Sequence, residues 1–442
     1  MIKPENICEQ IFALAKGAQT ETLIERSAGA LTRFADNEIS QNVYSDSSSV
    51  SIRFVDDGRM SRVTLNQFDR AALERAVKTG LETLKRQKKN KNLPPLAGPR
   101  PLERGGNVFS KETAELSPLY RVKKIKDLVR ACKKAGQTAY GTLENGLASC
   151  TVANSRGVFA SHLESYIIYG VTVRDGDGFG WAETPAAGAE KIDFEAVNRT
   201  ARLKAAMSKK PRDIKPGLYP VILEPAAAAD LLSYLCVFGF GGQFYNEGSS
   251  FASGNLGKKL LSARLSIEDN ALYGPAPGMP FDFEGQPRRR VVLVEKGVLK
   301  AVVHDRKTAA AANTASTGHA LPQPNSFTPF PLNLSVRPGE SSVEEMIKNS
   351  EKAVLITRFH YTNLLKPLSV EMTGMTRNGT FLVENGKISK PLKNLRFTQS
   401  VTKAFSEAEA VGRKAGLCQV WGKLSCPAFK LKAFNFSSAT EF

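Results

Sequence analysis

The first half of the chain alternates between two hydrophobic patterns. Apolar residues at helical spacing predict helices over residues 7–16, 67–84, from Pro118 onward, and around 196–205. Between them, alternating and β-branched residues predict two sets of strands: 20–28, 31–34, 39–44 and 48–55, then 138–142, 147–153, 157–169 and 170–182. Helix, strands and helix therefore occur twice, which suggests a repeated plan without sequence identity between the two passes.

The second half of the chain is denser in predicted strands. It opens with a short strand at 219–223 and an Ala-rich helix at 226–238, and the other predicted strands are 291–295, 298–304, 333–336, 353–357, 380–384 and 387–390. Glu384-Asn385-Gly386-Lys387 is typical of a two-residue hairpin turn.

The polar, proline-bearing stretch 209–217 is the best candidate boundary between these halves. We therefore predict an α+β protein of two domains. Residues 1–213 form an N-terminal domain in which helices layer on an antiparallel sheet. Residues 214–442 form a C-terminal domain with a mostly antiparallel, curled sheet and a few helices.

Composition narrows the class of protein. Hydrophobic residues make up 42% and charged residues 24% of the 442 residues, which excludes a disordered or collagen-like chain. No apolar run approaches the ~18 residues that a membrane helix needs, and the first residues do not resemble a secretory signal. The six cysteines are scattered without a C-x-x-C pair. We therefore expect a cytoplasmic protein that does not associate with a membrane.

The chain is strongly basic, with 61 Lys and Arg against 43 Asp and Glu, or a net charge of +18. Such an excess raises the alternative of a basic, nucleic-acid-associated modulator. The positive residues cluster in 85–91 and 123–134, which are the end of one predicted helix and the polar face of another. Because no aromatic residues are interleaved with them, a solvated helix surface is the favoured interpretation, and nucleic acid is not expected as a partner.

Familiar catalytic motifs are missing from the sequence. No two of the four histidines, His162, His304, His319 and His360, lie within five residues of each other, so no H-E-x-x-H zinc helix is possible. The sequence also lacks a G-x-S-x-G elbow and the glycine patterns that bind phosphate. An active hydrolase with an unrecognised site, drawn from His304, Asp305 and His319, remains an alternative.

Five segments of the second half carry residues that an ordinary core does not require. In their order along the chain they are 280–285, 316–320, 357–363, 372–381 and 394–398. Together they resemble the TldD/PmbA family, proteins once described as modulators of DNA gyrase and now linked to peptide processing. The turn at 154–157 and the closing Phe434-Asn435-Phe436 are similar to the family as well. The resemblance runs through most of the chain.

Within this resemblance, the chain differs from zinc-binding members of the family at the positions of the metal ligands. TldD-type members look like metalloproteases with an H-E-x-x-x-H helix just after the first strand of their second domain. In the matching helix here, Ser233, Tyr234 and Phe238 occupy the positions of the first His, the Glu and the second His. The chain is therefore similar to the PmbA/TldE-like branch, and we expect no catalytic residue and no metal or other cofactor of its own.

The resemblance also implies partners. We expect a non-catalytic subunit of a TldD–TldE-type metalloprotease, paired with a zinc-bearing TldD-like subunit or with itself as a homodimer. The substrate would be an extended or unfolded peptide. Polar side chains in glycine-bearing or polar loops suit a peptide-facing surface, although stabilisation of the turns themselves is an equal interpretation. The candidates are His319, Arg358, Tyr361, Asn363 and Arg377.

Overall fold

The computed structural model describes residues 3–440 and contains two sheets. The first sheet has the strand order β3-β2-β1-β4-β5-β6, with every neighbouring pair antiparallel. Its strands are β1 (Gln19–Ala35), β2 (Glu38–Asp56), β3 (Arg59–Leu65), β4 (Thr138–Asn154), β5 (Phe159–Asp175) and β6 (Gly178–Ala186). Two three-stranded meanders meet at the β1–β4 pair, so the predicted repeated plan is present.

Helices cover one face of this sheet. They are α1 (Pro4–Leu14), α2 (Arg70–Arg86), the single-turn α3 (Lys111–Ala114), α4 (Pro118–Lys134) and α5 (Phe194–Met207). Side chains cap the first turns of α2, α3, α4 and α5; at the start of α2, for example, the Asp69 carboxylate accepts a hydrogen bond from the amide of Ala72. Two apolar cores lie between helices and sheet, one under α1 and α2 and the other under α4 and α5.

The opposite face of the sheet points toward the second half of the chain. Because strand side chains alternate, Ile24 is buried under the helices while its neighbour Glu25 lies on the other face. Buried Arg53 on this face forms ion pairs with Glu21 of β1 and with Glu284 of the second half. This buried group of charges joins the two halves of the chain.

The second sheet is mixed and curled. Its strands are β7 (Gly217–Leu223), β8 (Ile267–Asp269), β9 (Val291–Glu295), β10 (Val298–Leu299), β11 (Asn333–Val336), β12 (Lys352–Lys366), β13 (Glu371–Glu384), β14 (Lys387–Pro391), β15 (Leu395–Ser400), β16 (Ala408–Gln419) and β17 (Lys423–Ala439). Most pairs are antiparallel, while β7–β12 and β11–β17 are parallel. Strand β7 pairs with both β12 and β17, so five strands close on one another. The predicted α+β class with a curled C-terminal sheet is confirmed.

A single long helix packs against this sheet. Helix α6 (Pro225–Gly239) lies against β12, β16 and β17, and the shorter helices are α7 (Gly242–Asn246), α8 (Arg306–Ala311), α9 (Val343–Lys348) and α10 (Val401–Ser406). The chain passes from the first sheet to the second between Ala186 and Gly217, and the domain boundary at 213/214 stays a prediction. None of the helices within residues 3–440 is long and apolar enough to cross a membrane.

Candidate functional site

One narrow stripe of α6 is accessible. Between residues 226 and 238, only Ala226, Asp230, Tyr234 and Phe238 are partly exposed, and every other residue is buried. A spacing of four residues keeps side chains on one helix face, so these four form a single stripe. A ligand that reaches α6 has to do so along this stripe.

The C-terminal half of the stripe is part of a continuous aromatic surface. Tyr234 stacks on Phe238 with ring centroids 5.9 Å apart, and Phe238 also contacts Phe327 and Trp421. We call this patch the α6 aromatic surface, and it consists of Tyr234, Phe238, Phe244, Phe327, Phe330 and Trp421. Trp421 is 42% exposed, so the patch offers apolar ring area to a ligand.

The side chains at the expected metal positions do not fit zinc. Ser233 is buried and its hydroxyl donates to the Asp230 carbonyl at 2.7 Å, while the Tyr234 hydroxyl donates to the Thr362 carbonyl at 2.8 Å. Phe238 has no donor atom. Zinc in proteins takes Cys, His, Asp or Glu ligands. Throughout residues 3–440, no three such side chains are grouped so that they could share an ion.

A polar cavity of about 310 Å³ opens at the N-terminal end of the stripe, and we call it the Arg358 cavity. The Arg358 guanidinium lies 4.5 Å from the ring centroid of Trp181, and Asp230 borders the same space. The Thr362 hydroxyl donates to the Asp230 carboxylate at 3.2 Å. Burial raises the pKa of Asp230 to about 6, although the Thr362 hydrogen bond and the Arg358 charge oppose this shift.

Tyr361 borders this cavity, and Asn363 lies near it at the same irregularity of β12. The β12–β13 register shifts between His360 and Asn363, and Tyr361 there has φ +51° and is 73% exposed. The Asn363 side-chain amide donates to the Tyr361 carbonyl at 3.2 Å. The structure thus brings these two predicted residues together with Arg358, and both are exposed.

Arg377 borders a separate cavity of about 240 Å³, which we call the Arg377 cavity. His360 lines both cavities, two residues along β12 from Arg358. Burial, together with the positive charges of Arg377 and Arg358, lowers the pKa of His360. Four of the five predicted peptide-facing residues therefore cluster around β12 and β13, and their role in binding stays a prediction.

His319, the fifth candidate, lies apart from these cavities. It is 1% exposed, and its Nε2 atom is 3.0 Å from a carboxylate oxygen of Asp269. The same carboxylate forms an ion pair with buried Arg288 and accepts hydrogen bonds at 2.8 Å from the amides of Leu332 and Asn333. In this structure His319 faces the interior, where a peptide does not reach, and its position matches the turn-stabilising alternative.

The other residues of the hydrolase alternative are also engaged in local structure. The Asp305 carboxylate caps α8 by accepting a hydrogen bond from the Thr308 amide at 2.7 Å. His304 is buried, and its Nδ1 atom lies 3.2 Å from the Thr308 hydroxyl. Burial lowers the pKa of His304. No observation here supports a catalytic role for these residues.

A further cavity of about 640 Å³ lies between the two sheets. Ser49, Glu25, Cys150 and His162 occupy matching register positions across β2, β1, β4 and β5 and line its wall. At its edge the Lys423 ammonium donates to Glu164 at 2.8 Å. The sequence analysis missed this row, and the signal that could have revealed it is the alternation of side chains along the strands.

Sequence reasoning also missed Asp230 and Trp421. Asp230 precedes Tyr234 by four residues and Phe238 by eight, so the period of the accessible stripe would have identified it. Trp421 lies at the turn between β16 and β17, far from α6 in sequence, and only the tertiary fold brings it to Tyr234.

Comparison with known proteins identifies the family. Residues 216–438 match the PmbA/TldA metallopeptidase C-terminal domain, and residues 20–84 match PmbA/TldA metallopeptidase domain 1. The chain belongs to the TldD/PmbA family. The resemblance inferred from the sequence is therefore confirmed, and the family is related to peptidases.

Individual TldD/PmbA proteins are similar at low sequence identity. A metalloprotease TldD homolog from Buchnera aphidicola is 24% identical over 51% of this chain and 47% of its own length, so the match spans about half of that protein. An uncharacterised protein from Methanocaldococcus jannaschii is 23% identical over 89% of this chain and 91% of its own length. The crystal structure of TldE from Thermococcus kodakarensis has the same fold, with a TM-score of 0.86, 20% identity and coverage of 98% and 99%.

Proposed function

We propose that this chain is the non-catalytic, TldE-like subunit of a TldD–TldE-type metalloprotease, and that it holds extended peptides for a zinc-bearing TldD-like partner. The observation that carries the proposal is the accessible stripe of α6, where Tyr234 and Phe238 present rings and no metal ligand. A metal-bound water is the nucleophile that a zinc protease needs, and these side chains cannot bind the ion that would activate it. The partner must then supply the metal.

Two features support peptide holding on this subunit. All rings of the α6 aromatic surface except the buried Phe330 are at least partly exposed, and the neighbouring Arg358 cavity offers charged and hydrogen-bonding groups. Peptide sites commonly combine an apolar surface with a few polar groups. Because the rings adapt to many apolar side chains, this surface suits unfolded segments better than one particular sequence.

A sheet edge offers a second way to hold an extended chain. Strand β3 pairs only with Val50–Asp56 of β2, and in the part of the chain that the structure describes, residues 38–49 of β2 pair with β1 alone. An unpaired edge has free amides and carbonyls, to which a peptide can add as a further strand. Ser47, Ser48 and Ser49 at the end of this edge also line the cavity between the sheets.

The proposal is tested by reconstitution with the TldD-like protein of the same organism. We expect the two chains to co-elute as a complex in size-exclusion chromatography and the complex to cleave denatured casein. The chain alone should cleave none, and the Phe238→Asp variant should bind the partner but slow cleavage. Cleavage by the purified chain without a partner, or no association between the chains, would contradict the proposal.

A further inference from the structure

Two arginines lie opposite each other on neighbouring strands without a carboxylate in direct contact, among the residues that the structure describes. Arg358 of β12 and Arg377 of β13 are directly opposite in the antiparallel register, which puts their side chains on one face of the sheet. Among residues 3–440, neither guanidinium group has a carboxylate within 4.0 Å or a hydrogen-bond acceptor. Like charges directly opposite each other destabilise a strand pair. Neither guanidinium uses its N–H donors in a direct ion pair among the described residues, and these donors can therefore bind a negatively charged group.

The Trp181 ring fixes the position of the Arg358 guanidinium and leaves its N–H groups available to a ligand. The guanidinium stacks on this ring, which restrains it without using its N–H donors. Glu183 and Asp230 also border the Arg358 cavity and attract the Arg358 guanidinium without contacting it directly.

The Arg377 cavity has fewer carboxylates on its border than the Arg358 cavity. Lys393 borders it and forms an ion pair with Asp213 at 3.0 Å. Its single bordering carboxylate among the described residues, Asp177, accepts a hydrogen bond from the Lys210 amide at 3.0 Å. Arg377 is therefore the donor in this cavity with the most unused hydrogen-bonding capacity.

We propose that Arg358 and Arg377 bind carboxylate groups of the peptide, so that the subunit prefers acidic segments. This inference rests on the proposed peptide-holding function and names its substrate class. A guanidinium group matches a carboxylate with two parallel hydrogen bonds, and the space beside each arginine admits a side chain of that size. The carboxylate can come from Asp or Glu side chains or from the C-terminus of the peptide.

The experiment uses the full chain and four fluorescein-labelled twelve-residue peptides. Two contain three glutamates in a Gly/Ser/Leu background and two contain glutamines instead, and each sequence is made with a free and an amidated C-terminus. Fluorescence anisotropy gives the dissociation constants for the wild type and for Arg358→Gln, Arg377→Gln and Arg33→Gln. Arg33 is an exposed arginine of β1, so Arg33→Gln removes the same charge away from both cavities.

We expect the glutamate peptides to bind about tenfold more tightly than the glutamine peptides, the scale of one charge-assisted hydrogen-bonded contact. Arg358→Gln and Arg377→Gln should each remove most of this preference, and Arg33→Gln should leave it intact. A preference that follows the free C-terminus instead identifies the terminal carboxylate as the ligand. Circular dichroism checks that each variant is folded, and an Arg→Lys change at each site tests whether charge alone suffices.

Three results would overturn the inference, and they are distinguishable from failure of the proposed function. Equal binding of glutamate and glutamine peptides rejects the carboxylate site while peptide holding stands. An equal loss of preference in Arg33→Gln attributes it to the net charge of +18. If none of the four peptides binds, both the inference and peptide holding by this subunit are rejected.

Discussion

Tyr234 and Phe238 stack one turn apart on α6, with ring centroids separated by 5.9 Å and ring planes within 19° of parallel. Phe238 extends the stack to Phe244, whose ring plane is within 8° of its own at 5.8 Å. This arrangement makes the C-terminal half of the accessible stripe an apolar surface, with rings at the positions where metal ligands were expected. Its consequences for stability and for binding can be measured separately.

Replacing Phe238 with alanine should lower the free energy of unfolding by about 2 kcal/mol. The ring is half-buried and contacts several other rings, and a fully buried Phe→Ala change costs ~3–5 kcal/mol. Urea unfolding followed by circular dichroism measures the effect. Phe159→Ala is the matched control because Phe159 is 47% exposed, and its effect should stay within ~0.5 kcal/mol. Equal stability of the two variants would argue against the ring cluster.

Asp269→Asn should be one of the more damaging changes in the interior. It leaves Arg288 buried without its counterion, and breaking a buried ion pair from one side costs ~3–5 kcal/mol. The same urea experiment measures this loss. Asp127→Asn, which removes an exposed helix-surface carboxylate, is the control and should change little. A loss below ~1 kcal/mol for Asp269→Asn would show that the buried pair is not structurally important.

The effect of Asp269 should depend on pH. Burial opposes its ionisation, but Arg288 and then His319 outweigh burial and hold the pKa of Asp269 below its usual range. The folded state therefore binds fewer protons than the unfolded state in acid, and the stabilisation is complete above about pH 4. The gap between the wild type and Asp269→Asn should narrow as the pH falls from 4 toward 2. A constant gap over this range would refute the lowered pKa.

Asp230 should show the opposite dependence. Its pKa of about 6 is higher than in the unfolded chain, so the folded state loses stability as the pH rises from ~4 through about 6. Asp230→Asn removes this cost and keeps an acceptor for the Thr362 hydroxyl. The variant should unfold at higher urea concentration than the wild type at pH 8 and at the same concentration at pH 4. A difference that is largest at pH 4 would contradict the assignment.

Much of the first sheet could be predicted from sequence, but its strand lengths could not. Separate strands were predicted at 20–28 and 31–34, with Gly29 between them, whereas β1 runs without interruption from Gln19 to Ala35. A Cβ at Gly29 would lie 2.3 Å from the Tyr166 hydroxyl oxygen of β5, so the glycine permits close packing across the sheet. The local sequence does not distinguish a glycine in a turn from a glycine that makes room for a side chain of a nearby strand.

The candidate site was predictable only in part, for a similar reason. Arg358, Tyr361, Asn363 and Arg377 lie on two adjacent strands, and the polar density of their segments pointed to them. The polar density around His319 was equally suggestive, yet its ring is paired in the interior with Asp269, 50 residues away in sequence. Which polar residues face a cavity depends on tertiary partners that local sequence does not specify.

A substitution at Tyr361 should change stability and peptide binding in opposite directions. A left-handed backbone conformation costs ~1–2 kcal/mol for a residue with a Cβ, and Tyr361 holds one while 73% exposed. Tyr361→Gly should therefore raise the free energy of unfolding by about 0.5–1 kcal/mol and weaken peptide binding in the anisotropy assay. Leu365→Gly, an exposed residue of the same strand without this conformation, should destabilise instead. Unchanged peptide affinity in Tyr361→Gly would remove it from the binding surface.

The metal content of the purified chain tests the central claim most directly. The protein is incubated with excess zinc, dialysed against metal-free buffer and analysed by inductively coupled plasma mass spectrometry, with a TldD-like protein that carries the H-E-x-x-x-H helix as the positive control. Because α6 presents Tyr234 and Phe238 rings and a Ser233 hydroxyl already donated to the helix backbone, we predict far less than one zinc per chain. One tightly retained zinc per chain would contradict the account of this protein as the metal-free subunit.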